Sequence, residues 1–212
     1  MLERLKAQPI PAPLLVRPQR VCQPIMLPDD YEVYDFTQGY DPDRTLKSAY
    51  GIGRYNEPRP TMYAGDQFTA GDRHIHMGID IAAPAGTAVR AFFSGEIYGV
   101  ADHQRPYDYG PTLITKHAWG DQTLYALHGH LSQTSLTGWR AGQRVEHGEV
   151  LGWVGGPDEN GGWNPHLHFQ LSMIEPLDLD LPGAVGVTDL EWALRVFPDP
   201  QDVLGALYDP FR

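Results

Sequence analysis

The chain has 212 residues, 42% hydrophobic and 20% charged, a balance typical of a folded protein with one core and extensions. Its formal net charge of -11 at pH 7 argues against nucleic acid and anionic membrane surfaces as partners. No apolar run is long enough to span a bilayer, so we expect no membrane insertion.

The N-terminal region, residues 1–28, is rich in proline and has no regular hydrophobic period, which predicts an extended arm or an edge segment. It lacks the continuous apolar core of a secretory signal, and the single cysteine, Cys22, cannot form an internal disulfide. These features predict a cytoplasmic protein, or an extracytoplasmic one if a precursor segment is missing from the sequence.

The middle of the chain consists of short segments that alternate between apolar and polar residues and are separated by glycine-containing turns. A first short strand is predicted over residues 31–36, and residues 37–65 are predicted to form a long surface loop. We then predict hairpins and strands over 87–100, 112–116, 123–127, 142–154 and 166–174. Many short strands at close spacing indicate an all-β sandwich or barrel.

The C-terminal end changes character. Residues 177–186 are loop-like, whereas Thr188 and Asp189 precede a helical pattern over residues 190–197. Proline residues then end this helix, and a second short helix is predicted after them. The predicted fold class is therefore mainly β, with an antiparallel sandwich or barrel-like core and a short C-terminal helical tail.

Three histidine motifs carry the chemistry of the sequence: His-Met-Gly-Ile-Asp at 76–80, His-Gly-His at 128–130 and His-Leu-His at 166–168. Residues two or four apart on a strand point to the same face, so each motif is expected to aim two polar side chains into one groove. By this rule His128 and His130 share a face.

Such a set of side chains is suited to zinc. Catalytic zinc sites use three protein ligands, among them imidazole nitrogen and carboxylate oxygen, and leave a position for water. The metal makes hydroxide available near neutral pH, and a nearby unligated histidine can act as a general base or stabilise a developing oxyanion.

Four motifs, taken together and in order, carry a resemblance. The motif at 76–80 is followed by an apolar residue and a small-residue turn with Pro84, and Ala-Leu-His-Gly-His-Leu-Ser follows at 126–132. A glycine-bounded segment lies at 142–152, and Pro-His-Leu-His-Phe lies at 165–169. The chain in this respect resembles the M23 family of zinc metallopeptidases, the lysostaphin-type or LytM-type endopeptidases.

The resemblance implies a role for each matching residue. His76, Asp80 and His168 would bind Zn²⁺, and His130 and His166 would be the unligated catalytic histidines. The implied reaction is hydrolysis of a peptide bond, commonly in the stem or cross-bridge of peptidoglycan, so a peptide or peptidoglycan-like substrate is expected.

The likeness covers about half of the chain and suggests three parts. Residues 1–65 would be an N-terminal extension and loop, 66–176 the M23-type peptidase domain, and 177–212 a C-terminal loop and helix. Modules of this type also occur inside large multidomain cytoplasmic proteins, so a relative of such a module is an alternative.

Several residues depart from the family pattern or have two interpretations. His128 stands where many members have tyrosine, and we interpret it as a histidine that lies at the surface or that contacts a metal ligand from behind. His74 is interpreted as a loop residue. Tyr107 and Tyr109 either line the groove or pack in the core.

Two alternatives concern activity. The domain could be a non-catalytic, metal-containing module that binds a peptide or partner, although such degenerate members usually lack a ligand or a base. It could also be occluded, with residues 37–65 folded over the groove and Asn56 or Asp66 as an additional ligand.

Overall fold

A computed structural model of the chain describes residues 1–15, 20–41, 43–63, 66–69 and 72–209. The strands are β1 (Glu32–Val33), β2 (Gly51–Gly53), β3 (Ile75–His76), β4 (Ile79–Ala82), β5 (Ala88–Arg90), β6 (Gly95–His103), β7 (Gly110–Trp119), β8 (Gln122–Gly129), β9 (Arg144–Val145), β10 (Val150–Trp153), β11 (His166–Ser172) and β12 (Ala184–Val185). The helices are α1 (Leu2–Lys6), α2 (Asp66–Thr69), α3 (Leu190–Val196) and α4 (Gln201–Leu204).

Eight strands form the main sheet, in the order β1-β2-β4-β11-β8-β7-β6-β9. Its neighbours are antiparallel except β1 and β2, which are parallel. Two small sheets, β5 with β10 and β3 with β12, complete the strands. The prediction of a mainly β fold with a short helical tail is confirmed.

Both faces of the main sheet are buried, as the alternation along β11 shows. Leu167, Phe169 and Leu171 point into a first core, which also contains residues of β5 and β10. His168 and Gln170 lie on the opposite face, where α3 and the strand β12 contribute to a second core. Because both faces are covered, the central strands are buried almost throughout, and polar side chains on them require internal partners.

The pairing of the two predicted hairpins, 87–100 and 142–154, is wrong. Strands form in both segments, but β5 pairs with β10, whereas β6 pairs with β7 and β9. Each turn therefore carries the chain from one sheet to another. This arrangement buries Val89 and Leu151 in the first core, an advantage that local alternation cannot reveal.

Two N-terminal predictions also need correction. The arm predicted over residues 1–28 begins with the short helix α1, whose Leu5 is buried in the second core. The loop predicted over residues 37–65 contains β2, which pairs with β4 inside the main sheet. The division into three domains stays a prediction. Within the described ranges, no helix is both long and apolar enough to cross a membrane.

Two histidines are buried in the scaffold. His128 is opposite Phe169 across the sheet, packs against its ring with centroids 5.4 Å apart, and donates from Nδ1 to the carbonyl oxygen of Leu113 at 3.2 Å. His128 is fully buried and faces the first core together with Phe169, on the opposite face of the sheet from His168. The interpretation of His128 as a histidine at the surface or behind a metal ligand is therefore wrong. His117 packs against Phe92. Burial lowers the pKa of His117 to about 4 and that of His128 to about 3.

We expect the free energy of unfolding of the metal-free protein to fall as the pH decreases from about 6.5 towards 4. In this window the unfolded chain takes up protons on His117 and His128, whereas the folded chain keeps them neutral, so acid favours the unfolded state. Each histidine contributes about 1.4 kcal/mol per pH unit. Denaturant unfolding at pH 7 to 4.5 measures the slope.

The matched variants for this measurement are H128L and H147L. H128L is expected to have a smaller pH slope than the parent chain. H147L is expected to keep the parent slope, because His147 is exposed in a turn. Equal slopes for the parent and H128L would contradict the assignment of His128 as a neutral core residue.

Candidate metal centre

Three side-chain atoms converge at one edge of the second core. His76 Nε2 lies 3.1 Å from His168 Nδ1, and Asp80 Oδ1 lies 3.2 Å from the former and 3.0 Å from the latter. Tetrahedral zinc with bonds of about 2.0–2.1 Å would hold its ligand atoms about 3.3–3.4 Å apart. Among the described residues, this trio is the group of histidine and acidic side chains suited to hold a metal ion.

Hydrogen bonds fix the tautomer of both histidines of this trio. His76 donates from Nδ1 to the carbonyl oxygen of Arg54 at 2.8 Å, which leaves a lone pair on Nε2. His168 donates from Nε2 to Gln170 Oε1 at 3.0 Å, which leaves a lone pair on Nδ1. Gln170 is itself oriented, since its amide nitrogen donates to the carbonyl oxygen of Pro182. Three hydrogen-bond acceptors thus face one another, and only a cation satisfies all of them.

The electrostatics agree with this donor set. Burial, reinforced by the Arg59 cation, lowers the pKa of His76 to about 4, so the imidazole is neutral at pH 7. Burial alone would raise the pKa of Asp80, but the Arg59 cation, which donates to Oδ2, holds that pKa well below its usual range. The site therefore offers the neutral imidazole of His76, the Nδ1 lone pair of His168 and one carboxylate, a donor set that suits a divalent metal.

Strand register and one glycine create the convergence. His168 on β11 is directly opposite Asp80 on β4, so their side chains share a face. A Cβ on Gly78 would lie 2.8 Å from His168 Cε1 and 2.8 Å from the carbonyl oxygen of Phe169. Only glycine fits at this position of the His-Met-Gly-Ile-Asp motif, because any side chain would displace the His168 ring.

The other two histidines lie beside this trio. The rings of His130 and His166 have centroids 4.3 Å apart, and His166 Nε2 lies 3.8 Å from Asp80 Oδ1. His130 donates from Nδ1 to the carbonyl oxygen of Asn160 at 2.9 Å, and His166 from Nδ1 to that of Asn164 at 2.7 Å. Each therefore keeps an Nε2 lone pair. Burial, together with neighbouring imidazoles, keeps the pKa of His130 well below its usual value, and burial lowers that of His166.

His130 reaches this position through an unusual backbone conformation. Its φ is +62°, in the left-handed region, directly after the end of β8. The prediction that His128 and His130 share a face is therefore wrong, since strand alternation ends at Gly129. The backbone is held by hydrogen bonds, from His130 N to the carbonyl oxygen of Tyr109 and from Gly155 N to that of His130. Such strain is characteristic of functional sites.

Aromatic residues frame the histidines. Tyr109 is 7% exposed, and its ring packs against those of His130 and His168, at centroid distances of 5.8 and 5.1 Å. It therefore packs in the core and borders the site at once. Tyr107 is exposed and contacts Trp163, whose ring lies 6.3 Å from that of His130.

A cavity of about 1040 Å³ opens over the five histidine and aspartate side chains. Its lining includes Tyr107 and Trp163 from the part of the chain that resembles the M23 family. It also includes Tyr34, Phe36 and Tyr63 from the N-terminal extension, and the Tyr63 ring packs edge-on against that of Trp163 with centroids 6.3 Å apart. The extension thus borders the groove. Asn56, considered above as a ligand, is exposed and does not line the cavity; the Asp66 side chain lies outside the described residues.

The extension also supports the metal centre through residues 54–59, which we call the strap. The strap runs along β3, with hydrogen bonds from His76 N to the carbonyl oxygen of Glu57 and from Arg59 N to that of His74. Arg59 donates to Asp80 Oδ2 at 2.5 Å. Sequence reasoning missed Arg59 and Gln170, because neither belongs to a histidine motif and both act through contacts distant in sequence.

The sequence of the chain matches known proteins. The family model "Peptidase family M23" matches residues 74–178. Over 112 residues the chain is 39% identical to the DD-carboxypeptidase/endopeptidase Mpg of Neisseria meningitidis, covering 51% of this chain and 23% of Mpg. Over 95 residues it is 42% identical to the cell division protein DipM of Caulobacter vibrioides, covering 44% of this chain and 14% of DipM. The matches thus span less than a quarter of the length of these curated relatives.

Among solved structures, the catalytic domain of lysostaphin from Staphylococcus simulans is 24% identical to the chain. The alignment covers 68% of this chain and 92% of that domain, with a TM-score of 0.45.

The contacts of the strap predict the effect of removing the extension. A chain that starts at Thr61 loses β2, the acceptor for His76 and the partner of Asp80. We expect it to bind zinc more weakly by about 100-fold or more, because two supporting contacts of the ligands are removed. Competition with a chromogenic chelator measures the affinity, and thermal unfolding checks that the truncated chain is folded.

The control is a chain that starts at residue 9, which lacks α1 but keeps the strap; we expect it to retain zinc. Equal zinc affinity, together with faster peptide hydrolysis, in the chain that starts at Thr61 would support occlusion by the extension instead.

Proposed function

The chain belongs to peptidase family M23, and we propose on that basis that it is a zinc-dependent endopeptidase acting on peptidoglycan peptides. The observation that carries the proposal is the convergence of His76 Nε2, Asp80 Oδ1 and His168 Nδ1, each with its lone pair directed at the others. A family match alone would also fit an inactive member, whereas a complete donor set with fixed tautomers is required for catalysis.

The residues divide into ligands and proton carriers. His76, Asp80 and His168 would hold the zinc ion, which when bound acts as a Lewis acid and brings the pKa of water to about 7. His130 and His166 keep a free Nε2 beside the ligands. Being neutral, either can accept the proton of an attacking water and later donate it to the leaving amine. The protonated imidazole can also stabilise the developing oxyanion by a hydrogen bond.

The backbone around these histidines preserves their alignment. The side chain of Asn160 accepts hydrogen bonds from the backbone of Gly162 and Trp163 and donates to the carbonyl oxygens of Gly155 and Trp163. Asn160 is fully buried, and its own carbonyl oxygen orients His130. The loop that precedes His166 and orients His130 is thus fixed before substrate arrives, and pre-organisation of this kind lowers the barrier to reaction.

The shape of the groove suits an extended peptide. Aromatic side chains line it together with the histidines, and so does Gly162. The named relatives support a cell-wall substrate, since Mpg is described as a carboxypeptidase and endopeptidase and DipM as a cell division protein. Peptidoglycan lies outside the cytoplasm, so this substrate argues for an extracytoplasmic location, which cell fractionation tests against the cytoplasmic alternative.

The second candidate is a metal-containing binding module without catalysis. It requires the ligands but not the pair His130 and His166. Both of these histidines are present, His130 buried and His166 half-buried, and each is hydrogen-bonded so that Nε2 is free. This arrangement favours the enzyme, because a binding module has no use for two neutral imidazoles beside its metal.

Two substitutions separate the roles. H168A removes a ligand, and we expect it to abolish both stoichiometric zinc binding and hydrolysis. H130A leaves the three ligands in place, and we expect it to retain zinc while the rate of hydrolysis falls by about 10²–10⁴-fold, the usual contribution of a general acid or base. Elemental analysis measures the metal, and release of soluble peptides from purified peptidoglycan measures the rate.

The control for both variants is H147A, which changes an exposed turn histidine and should behave as the parent chain. A parent protein purified with ample zinc that contains no stoichiometric metal would exclude the proposed enzyme. Retained zinc without hydrolysis of any peptidoglycan peptide would instead favour the binding module.

A further inference from the structure

Arg59 is an arginine of the N-terminal extension whose side chain is only 1% exposed. Its Nη1 donates to Asp80 Oδ2 at 2.5 Å and to the hydroxyl of Tyr63 at 3.3 Å. Its Nε donates to Glu57 Oε2 at 3.0 Å, and Nη2 donates to the carbonyl oxygen of Arg54 at 3.4 Å. All three guanidinium nitrogens therefore have an acceptor, and Asp80 is the one that belongs to the metal centre.

The surrounding chain is shaped to admit this guanidinium group. A Cβ on Gly53 would lie 2.7 Å from Arg59 Nη2 and 3.3 Å from the side chain of Asp80. Gly53 is opposite Asp80 in the pairing of β2 with β4, so a larger residue would occupy the space between the cation and the carboxylate. The Phe36 ring covers the guanidinium carbon at 5.0 Å.

The two oxygens of Asp80 have separate partners. Oδ1 faces His76 Nε2 and His168 Nδ1, whereas Oδ2 is bound by Arg59. We propose that Arg59 is a positioning residue of the metal centre, which holds Asp80 Oδ2 so that Oδ1 alone is presented as a ligand. This inference rests on the proposed zinc site and extends it to a residue outside the M23-matched segment, which begins at residue 74.

The proposal gives the extension a defined function in the metal centre. Without Arg59 the Asp80 side chain could rotate or offer both oxygens, and the distances of 3.0 and 3.2 Å to the histidines would not be maintained. Burying a cation costs desolvation free energy unless its donors are all hydrogen-bonded. The two carboxylates that Arg59 binds, those of Glu57 and Asp80, offset this cost. A purely structural ion pair would need Glu57 alone, since Arg59 and Glu57 already lie 3.0 Å apart.

The test compares zinc affinity in R59M and R59K with the parent chain, by competition with a chromogenic chelator. We expect R59M to bind zinc about 10–100-fold more weakly, the usual effect of losing a partner of a ligand. R59K keeps the positive charge that Asp80 and Glu57 require but lacks the planar fork that bonds both carboxylates, so we expect about a 10-fold loss. If R59M fails to fold, R59K carries the comparison.

A second readout reports the coordination of Asp80 rather than the stability of the fold. In the cobalt-substituted protein, the visible absorption depends on the number of ligand atoms, and a carboxylate that turns to offer both oxygens raises this number. We expect weaker visible absorption per bound cobalt in R59K than in the parent. The control is R90M, which removes a half-buried arginine that donates to the carbonyl oxygen of Gly148 in the region of β5; it should keep the parent affinity and spectrum.

The outcomes are distinct. Weaker zinc binding with a changed cobalt spectrum in R59K, and neither change in R90M, supports the positioning role. Parent-like affinity and spectrum in R59K, while the parent itself binds one zinc, overturns this role and leaves the proposed enzyme intact. A parent chain that binds neither metal overturns the proposed function and the positioning role with it.

Discussion

The mutual approach of three hydrogen-bond acceptors is the constraint on which the rest of the structure depends. His76 Nε2, Asp80 Oδ1 and His168 Nδ1 lie within 3.2 Å of one another, and in a buried site such an arrangement is unfavourable without a cation. Each of the three groups is kept in place by a hydrogen bond with a residue outside the trio. The Arg54 carbonyl oxygen holds His76, Gln170 holds His168, and Arg59 holds Asp80. The fold thus supplies three separate restraints for one site.

The order of strands in the main sheet allows these three restraints to act on one site. Because β11 lies between β4 and β8, one strand brings His168 opposite Asp80 on one side and opposite Gly129 on the other. The face that carries His168 must then accept His130, which strand alternation would direct to the other face. The left-handed conformation of His130 resolves this conflict, and the loop closed by Asn160 secures it.

The sequence was sufficient to identify the motifs whose His76, Asp80 and His168 side chains converge in the structure, and most strands, because both depend on local patterns. The spacing of His76 and Asp80 matches the structure, and so does the strand that contains His168. Pairing partners were mistaken where the chain crosses between sheets, since burial in the first core decides them rather than local alternation. The prediction for His128 is wrong for a related reason. Whether a histidine faces a core or a groove depends on where its strand ends.

The distribution of charge around the site bears on the proposed catalysis. Asp80 and Glu57 are already balanced by Arg59 and Arg54, whose ion pairs span 2.5 to 3.0 Å. A divalent cation bound by Asp80 would therefore leave the buried cluster with an excess of positive charge, because both carboxylates are already paired with arginines. In a site of low dielectric constant, that excess favours whatever negative charge develops on a reacting carbonyl oxygen. The strap would then contribute to transition-state stabilisation as well as to the placement of the ligand, through the same guanidinium group.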